Sequence, residues 1–145
     1  LLIIGARGSG KTTLLRACIR TLSQMGRCVS VVDERGELFP EGLERGKKTD
    51  VLTGCPKSPG IDMVLRTMGP DCIAVDEITA EADIAAIRRA SYCGVRFLAT
   101  AHAADRRELE SRPLYRALLQ DGFFRMAAFL LPDRSVRIER GLDHA

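Results

Sequence analysis

Gly5-Ala6-Arg7-Gly8-Ser9-Gly10-Lys11-Thr12 follows the apolar run Leu1-Leu2-Ile3-Ile4 and precedes a segment with Leu14, Leu15, Cys18, Ile19 and Leu22 on one side. The octet fits G-x-x-x-x-G-K-[ST] in full. Small residues let the backbone curl so that successive N–H groups from Gly8 to Thr12 point inward at phosphate oxygens. A helix starting near Lys11 adds the positive end of its dipole. In that arrangement the Lys11 ammonium meets the β- and γ-phosphates, and the Thr12 hydroxyl ligates Mg²⁺. The apolar run before the motif suits a parallel strand buried on both faces, and the segment after it has helical amphipathicity. That strand–turn–helix setting separates the motif from a chance Gly-rich turn. Gly5, Ala6, Arg7, Gly8, Ser9, Gly10, Lys11, Thr12 and Thr13 are therefore the expected nucleotide-binding residues, with ATP and Mg²⁺ as the expected ligands.

Outward from the motif, strands and helices alternate. Arg16 and Arg20 fall on the polar side of the first helix, and Gly26 is placed to end it. Val29–Asp33 reads as the second strand. The polar, Gly- and charge-rich stretch from Glu34 to Lys57 reads as one long loop. Ser58 and Pro59 are expected as the N-cap and first residue of a helix that buries Ile61, Val64, Leu65 and Met68. Cys72–Val75 is the third strand. Thr79 is expected to cap the next helix, with Glu81 and Asp83 at its positive end and Gly94 as its stop. Val95–Thr100 is the fourth strand. A helical region from about Asp105 to Gln120 is broken at Pro113, and Phe123–Leu131 and Ser135–Glu139 form a terminal strand pair around Pro132-Asp133. These signals predict one α/β domain over residues 1–145, with a mainly parallel sheet flanked by helices. The sequence begins inside an apolar strand without Met, so a fragment lacking flanking segments is expected.

The third strand exits on Asp76 and Glu77. Strand ends of this kind lie at the carboxyl edge of an open α/β sheet, where ligands bind. Asp76 is the expected Mg²⁺ ligand, through water, and Glu77 the group that orients and activates the attacking water. A second acidic cluster, Asp33, Glu34 and Glu37, exits the second strand. It either bears on the Mg²⁺ water shell, or supplies Glu34 as general base in place of Glu77, or is only a charged loop entrance. At the end of the fourth strand, either Thr100 or His102 could sense the γ-phosphate by hydrogen bonding, though a lone strand-end His is often a surface or capping residue.

Composition narrows the rest. A net charge of +3 and 5% aromatic residues leave little for phosphate tracking or base stacking, so no nucleic-acid partner is expected. Of the cations eighteen are Arg and four Lys, which supplies planar phosphate donors. Cys18, Cys28, Cys55, Cys72 and Cys93 contain no C-x-x-C pair, arguing against zinc; three of them read as core hydrophobes, in keeping with a reducing cytoplasm.

Two stretches carry a resemblance. Met63 to Ile78, continued through Val95–His102, resembles the motor domain of type II/IV secretion and pilus-retraction ATPases, with Asp76 standing where many of those carry Gly. Residues 31–38 (Val-Val-Asp-Glu-Arg-Gly-Glu-Leu), 48–57 and 74–78 (Ala-Val-Asp-Glu-Ile) resemble signatures of the stage III sporulation protein AA family, a likeness running from about Leu2 to His102. The resemblance implies a RecA-like fold, a hexamer, and a cytoplasmic ATPase at the inner face of a membrane, serving a membrane-embedded channel or export complex. A site shared between subunits needs a neighbour's arginine, for which Arg66, Arg88, Arg89 and Arg96 are candidates. The alternatives are a small-molecule or nucleotide kinase, with Arg106, Arg107 and Arg112 as its lid, and a nucleotide-binding switch without turnover.

Overall fold

Alternate residues along each central strand enter two different apolar layers, and this alternation sets the architecture. The computed structural model describes residues 1–40 and 43–141. The middle of the expected loop (41–42) and the last four positions of the expected domain (142–145) lie outside the described residues.

The strands are β1 (Leu2–Gly5), β2 (Val29–Asp33), β3 (Thr49–Thr53), β4 (Cys72–Glu77), β5 (Arg96–His102), β6 (Met126–Leu130) and β7 (Val136–Arg140). The helices are α1 (Lys11–Gln24), α2 (Lys57–Thr67), α3 (Glu81–Tyr92), α4 (Arg106–Ser111) and α5 (Pro113–Gln120). The sheet runs β3-β2-β4-β5-β1-β6-β7. Its pairings are parallel except β6 with β7, which is antiparallel. The expected mainly parallel sheet with a C-terminal antiparallel pair is thus the fold observed.

Leu2, Ile4, Ile73, Val75, Phe97, Ala99 and Phe129 face one layer, closed by Ile61 and Val64 of α2, Ile84 and Ile87 of α3, and Leu109, Leu118 and Leu119 of α4 and α5. Ile3, Val29, Val31, Ala74, Leu98 and Ala128 face the other, closed by Leu15 and Ile19 of α1 with Leu38 and Phe39. Each fully buried Leu, Ile or Phe contributes roughly 1.5–3 kcal/mol. Crossover helices on both faces of a parallel sheet leave the strand ends as the open edge where polar groups can gather.

Four local expectations are corrected. Thr49–Thr53 is not loop but an edge strand, paired with β2 from Val29↔Thr49 to Asp33↔Thr53; being short, polar and half-exposed, it owes its form to a non-local partner. α2 begins at Lys57 with Pro56 as N-cap, so Ser58 does not cap it. Pro59 is tolerated in that first turn because its missing N–H would have no helical partner. Ala80, not Thr79, is the N-cap of α3, since Asp83 reaches back to accept the N–H groups of both Thr79 and Ala80 at 3.2 Å. Among the cysteines only Cys72 is fully buried; Cys18 and Cys55 are partly so, and Cys28 and Cys93 are exposed. Among the described residues, no helix is long and apolar enough to cross a membrane.

Candidate functional site

The turn after β1 has the shape its glycines were expected to permit. Gly8 and Gly10 sit at φ +75° and +96°, a left-handed region that side chains rarely adopt. A Cβ on Gly5 would lie 2.3 Å from Ser9 Oγ and 3.2 Å from Leu130 Cβ. The Ser9 N–H donates to Ala6 O at 3.1 Å and closes the curl. Lys11, the first residue of α1, folds across it and donates from Nζ to Gly5 O (2.9 Å) and Ala6 O (3.1 Å). Burial lowers the Lys11 ammonium below its ordinary pKa, while the charges of Glu77 and then Asp76 act to raise it. Their charges thus reach the lysine, although the strand bearing them is not adjacent to β1: β5 lies between.

β4 and β5 run in regular register from Cys72↔Arg96 to Ala74↔Leu98, then slip by one so that Glu77 opposes Thr100. Bulges of this kind re-aim side chains. Asp76 is half-buried and accepts a hydrogen bond from Thr100 Oγ1 at 2.9 Å; Glu77 is exposed at the edge. His102 ends β5 opposite Gly5 in the register, half-buried, with its backbone carbonyl accepting from Arg112 at 2.8 Å. Of the predicted residues, the 5–13 turn, Asp76, Glu77 and His102 thus share one sheet edge.

The cluster leaving β2 is built differently. Asp33 is 2% exposed, and its carboxylate accepts from the N–H groups of Glu37, Leu38 and Phe39 at 2.9–3.1 Å. It fastens a tight loop whose Leu38 and Phe39 enter the core. Arg16 of α1 donates to the carbonyls of Glu37 and Leu38, and Arg20 to that of Glu44 at 2.9–3.0 Å. The polar side of α1 is therefore a clasp for this loop. Glu34 is exposed and pairs with Lys57 at 3.3 Å.

Residues 1–138 match the family described as sporulation stage III, protein AA. The chain belongs to the stage III sporulation protein AA family. It is 37% identical to stage III sporulation protein AA of Bacillus subtilis (strain 168), over 85% of this chain and 43% of that protein. Its fold is that of secretion ATPases. It superposes on the ATPase DotB of Legionella pneumophila with a TM-score of 0.69 at 23% identity, covering 96% of this chain and 43% of that one. The VirB11 ATPase of the Brucella suis type IV secretion system, in complex with sulphate, gives a TM-score of 0.68 at 17% identity, covering 96% and 47%. The chain thus spans less than half the length of these relatives.

The residues of this family member suit a phosphate and a divalent cation. Ser9 Oγ is buried without a hydrogen-bond partner among the described residues, between the left-handed Gly8 and Gly10. Among the described residues no three His, Cys, Asp or Glu gather to hold a metal alone. One hydroxyl (Thr12) with one carboxylate (Asp76) instead matches Mg²⁺, which keeps waters and shares phosphate oxygens.

One group near the site, Tyr115, was not anticipated, and Arg112 was expected only as part of a kinase lid. The Tyr115 hydroxyl donates to Ile78 O at 2.8 Å; burial, and then the charge of Glu77, raises its pKa. Arg112 lies 6.0 Å from the Tyr115 ring centroid and pairs with Glu108 at 2.7 Å. No spacing in the sequence ties α5 to the end of β4, so the Tyr115 contact had no local signal, whereas Arg112 and Glu108 are four residues apart. Of the arginines considered for a neighbouring site, Arg88 is held by Asp121 (2.6 Å) and Arg89 by Asp62 (2.8 Å). Arg66 and Arg96 are exposed, Arg96 at the opposite edge, where β5 begins. That edge also holds a cavity of about 980 Å³ between α1 and the amino ends of β4 and β5, lined by Leu14, Cys18, Leu22, Met25 and Val95. Arg27, Asp71 and Arg96 also line it.

Proposed function

We propose that this domain is the Mg²⁺-dependent ATP-hydrolysing motor of its protein, of the secretion-ATPase type. The observation that carries the proposal is the convergence on one sheet edge of the Gly5–Thr13 cradle, the Lys11 ammonium and the carboxylates of Asp76 and Glu77. The backbone N–H groups of Gly8 and of Gly10 to Thr12 would bind the phosphates, with Ser9 Oγ as a further donor. Lys11 would leave the carbonyls of Gly5 and Ala6 for the β- and γ-phosphates. Thr12 and Asp76 would hold Mg²⁺, which when bound supplies positive charge against the phosphates' developing negative charge. Glu77, exposed and without a hydrogen-bond partner among the described residues, is free to take a proton from the attacking water. His102, opposite Gly5 in the register, would sense the γ-phosphate.

The engagement of Asp33 with backbone N–H groups and of Glu34 with Lys57 supports Glu77 over Glu34 as general base. Arg106 is tied to Glu110 and Glu139, and Arg112 to Glu108, which weighs against a kinase lid. Nucleotide binding without turnover is the remaining alternative. In the whole protein we infer a cytoplasmic hexamer acting on a membrane-embedded channel or export complex in sporulation, with Arg66 or Arg96 reaching a neighbour's site.

The test is phosphate release from Mg²⁺-ATP and Mg²⁺-GTP across a protein-concentration series, with Lys11→Ala alongside. Release that rises more than linearly with protein and vanishes in the variant is expected. Transfer to an added acceptor would mean a kinase; nucleotide bound but never cleaved would mean a switch.

A further inference from the structure

Thr100 is fully buried, yet both its polar groups are directed at residues flanking Glu77. Its hydroxyl donates to Asp76 Oδ1 at 2.9 Å, and its carbonyl accepts from the Ile78 N–H at 3.1 Å. The one-residue slip between Ala74 and Glu77 brings both flanks of Glu77 against this single residue. We propose that Thr100 is the positioning residue of the metal-binding carboxylate, and not a sensor of the γ-phosphate.

An ionised carboxylate accepts through two oxygens and donates through neither. A hydroxyl held on Oδ1 fixes the side-chain torsion and leaves Oδ2 for a cation or its water. A hydrogen bond to a charged acceptor is also of the strong kind. Removing such an outer partner of a metal ligand typically weakens metal binding about 10–100-fold. A buried hydroxyl engaged with Asp76 is not free to reach a phosphate, so of the two candidates at the end of β5 only His102 remains for that task. Val would fill nearly the same space in a buried strand while removing the donor.

The inference rests on the hydrolase reading for the presence of a metal–nucleotide site. Its test is Mn²⁺ binding in the presence of ADP, with bound Mn²⁺ followed by electron paramagnetic resonance, in the unaltered chain, Thr100→Val and Thr100→Ser. ADP affinity in EDTA and thermal melting are measured on the same samples. Thr100→Val should raise the half-saturating Mn²⁺ concentration about tenfold or more. Thr100→Ser should restore it to within about threefold, and ADP affinity in EDTA should be the same in all three. Should the Val variant fail to fold, Thr100→Ala replaces it under the same criteria. Unchanged Mn²⁺ affinity on loss of the hydroxyl would overturn the proposal. So would a loss of metal-free ADP affinity, which would place Thr100 on the phosphates. An unaltered chain that binds neither ADP nor Mn²⁺ would instead overturn the hydrolase reading, and this inference with it.

Discussion

β2 and β4 are parallel neighbours and both leave the sheet on an Asp-Glu pair, yet the two pairs are physically unlike. Asp33 is buried and receives three backbone N–H groups, while Glu34 is paired with Lys57. Asp76 receives one hydroxyl, and Glu77 is exposed at the edge, where its charge acts on Lys11. One acidic exit holds the fold together; the other leaves acceptors unengaged by the described residues, as the proposed metal and water would need. An acidic strand end is thus identified as a site by the acceptors it leaves free, not by its charge.

The contrast can be broken by exchanging the roles of the two aspartates. Asp76→Asn, which keeps an acceptor for Thr100, should lower Mg²⁺-dependent hydrolysis on the order of a hundredfold or more with little change in melting temperature. Asp33→Ala should do the reverse. Two buried N–H groups and one part-buried one lose their acceptor at a combined cost of about 3 kcal/mol after relaxation, a fall of roughly 10 °C in melting temperature for a domain of this size. Turnover per folded molecule should stay within a few-fold. A melting curve for Asp33→Ala that overlays the unaltered one would refute the fastening role. A smaller effect is expected from Lys57→Ala, which releases Glu34: a part-exposed ion pair is worth under about 1 kcal/mol, and hydrolysis should hold. The smallest effect is a titration. Glu77 raises the Lys11 pKa by opposite charge, so Glu77→Gln should let the ammonium lose its proton at lower pH. Asp33→Asn should leave it unmoved, and with four lysines NMR can follow each.

The sequence made the phosphate cradle legible because its demands are local. Left-handed glycines, a lysine at a helix start and an apolar strand all fall within thirteen residues. The central strands were legible for a related reason, since burial on both faces leaves a continuous apolar run such as Cys72–Val75. β3 was missed because an edge strand is polar on one side and specified by its neighbour. The division of labour between the two acidic exits was equally hidden. Asp33 acts on residues four to six positions onward through a loop that carries no periodic signal. The Thr100–Asp76 contact depends on strand order and a one-residue bulge. The clasp of Arg16 on the 37–38 carbonyls showed in the sequence only as a polar helix side.

Single-turnover cleavage of ATP with Mg²⁺ by Glu77→Gln and Glu34→Gln, side by side, bears most directly on which exit performs the chemistry. Glu77→Gln should retain uncleaved ATP, with cleavage slowed about 10²–10⁴-fold, while Glu34→Gln cleaves within about threefold of the unaltered chain. Cleavage blocked in Glu34→Gln and preserved in Glu77→Gln would assign the general base to the β2 exit and contradict this account.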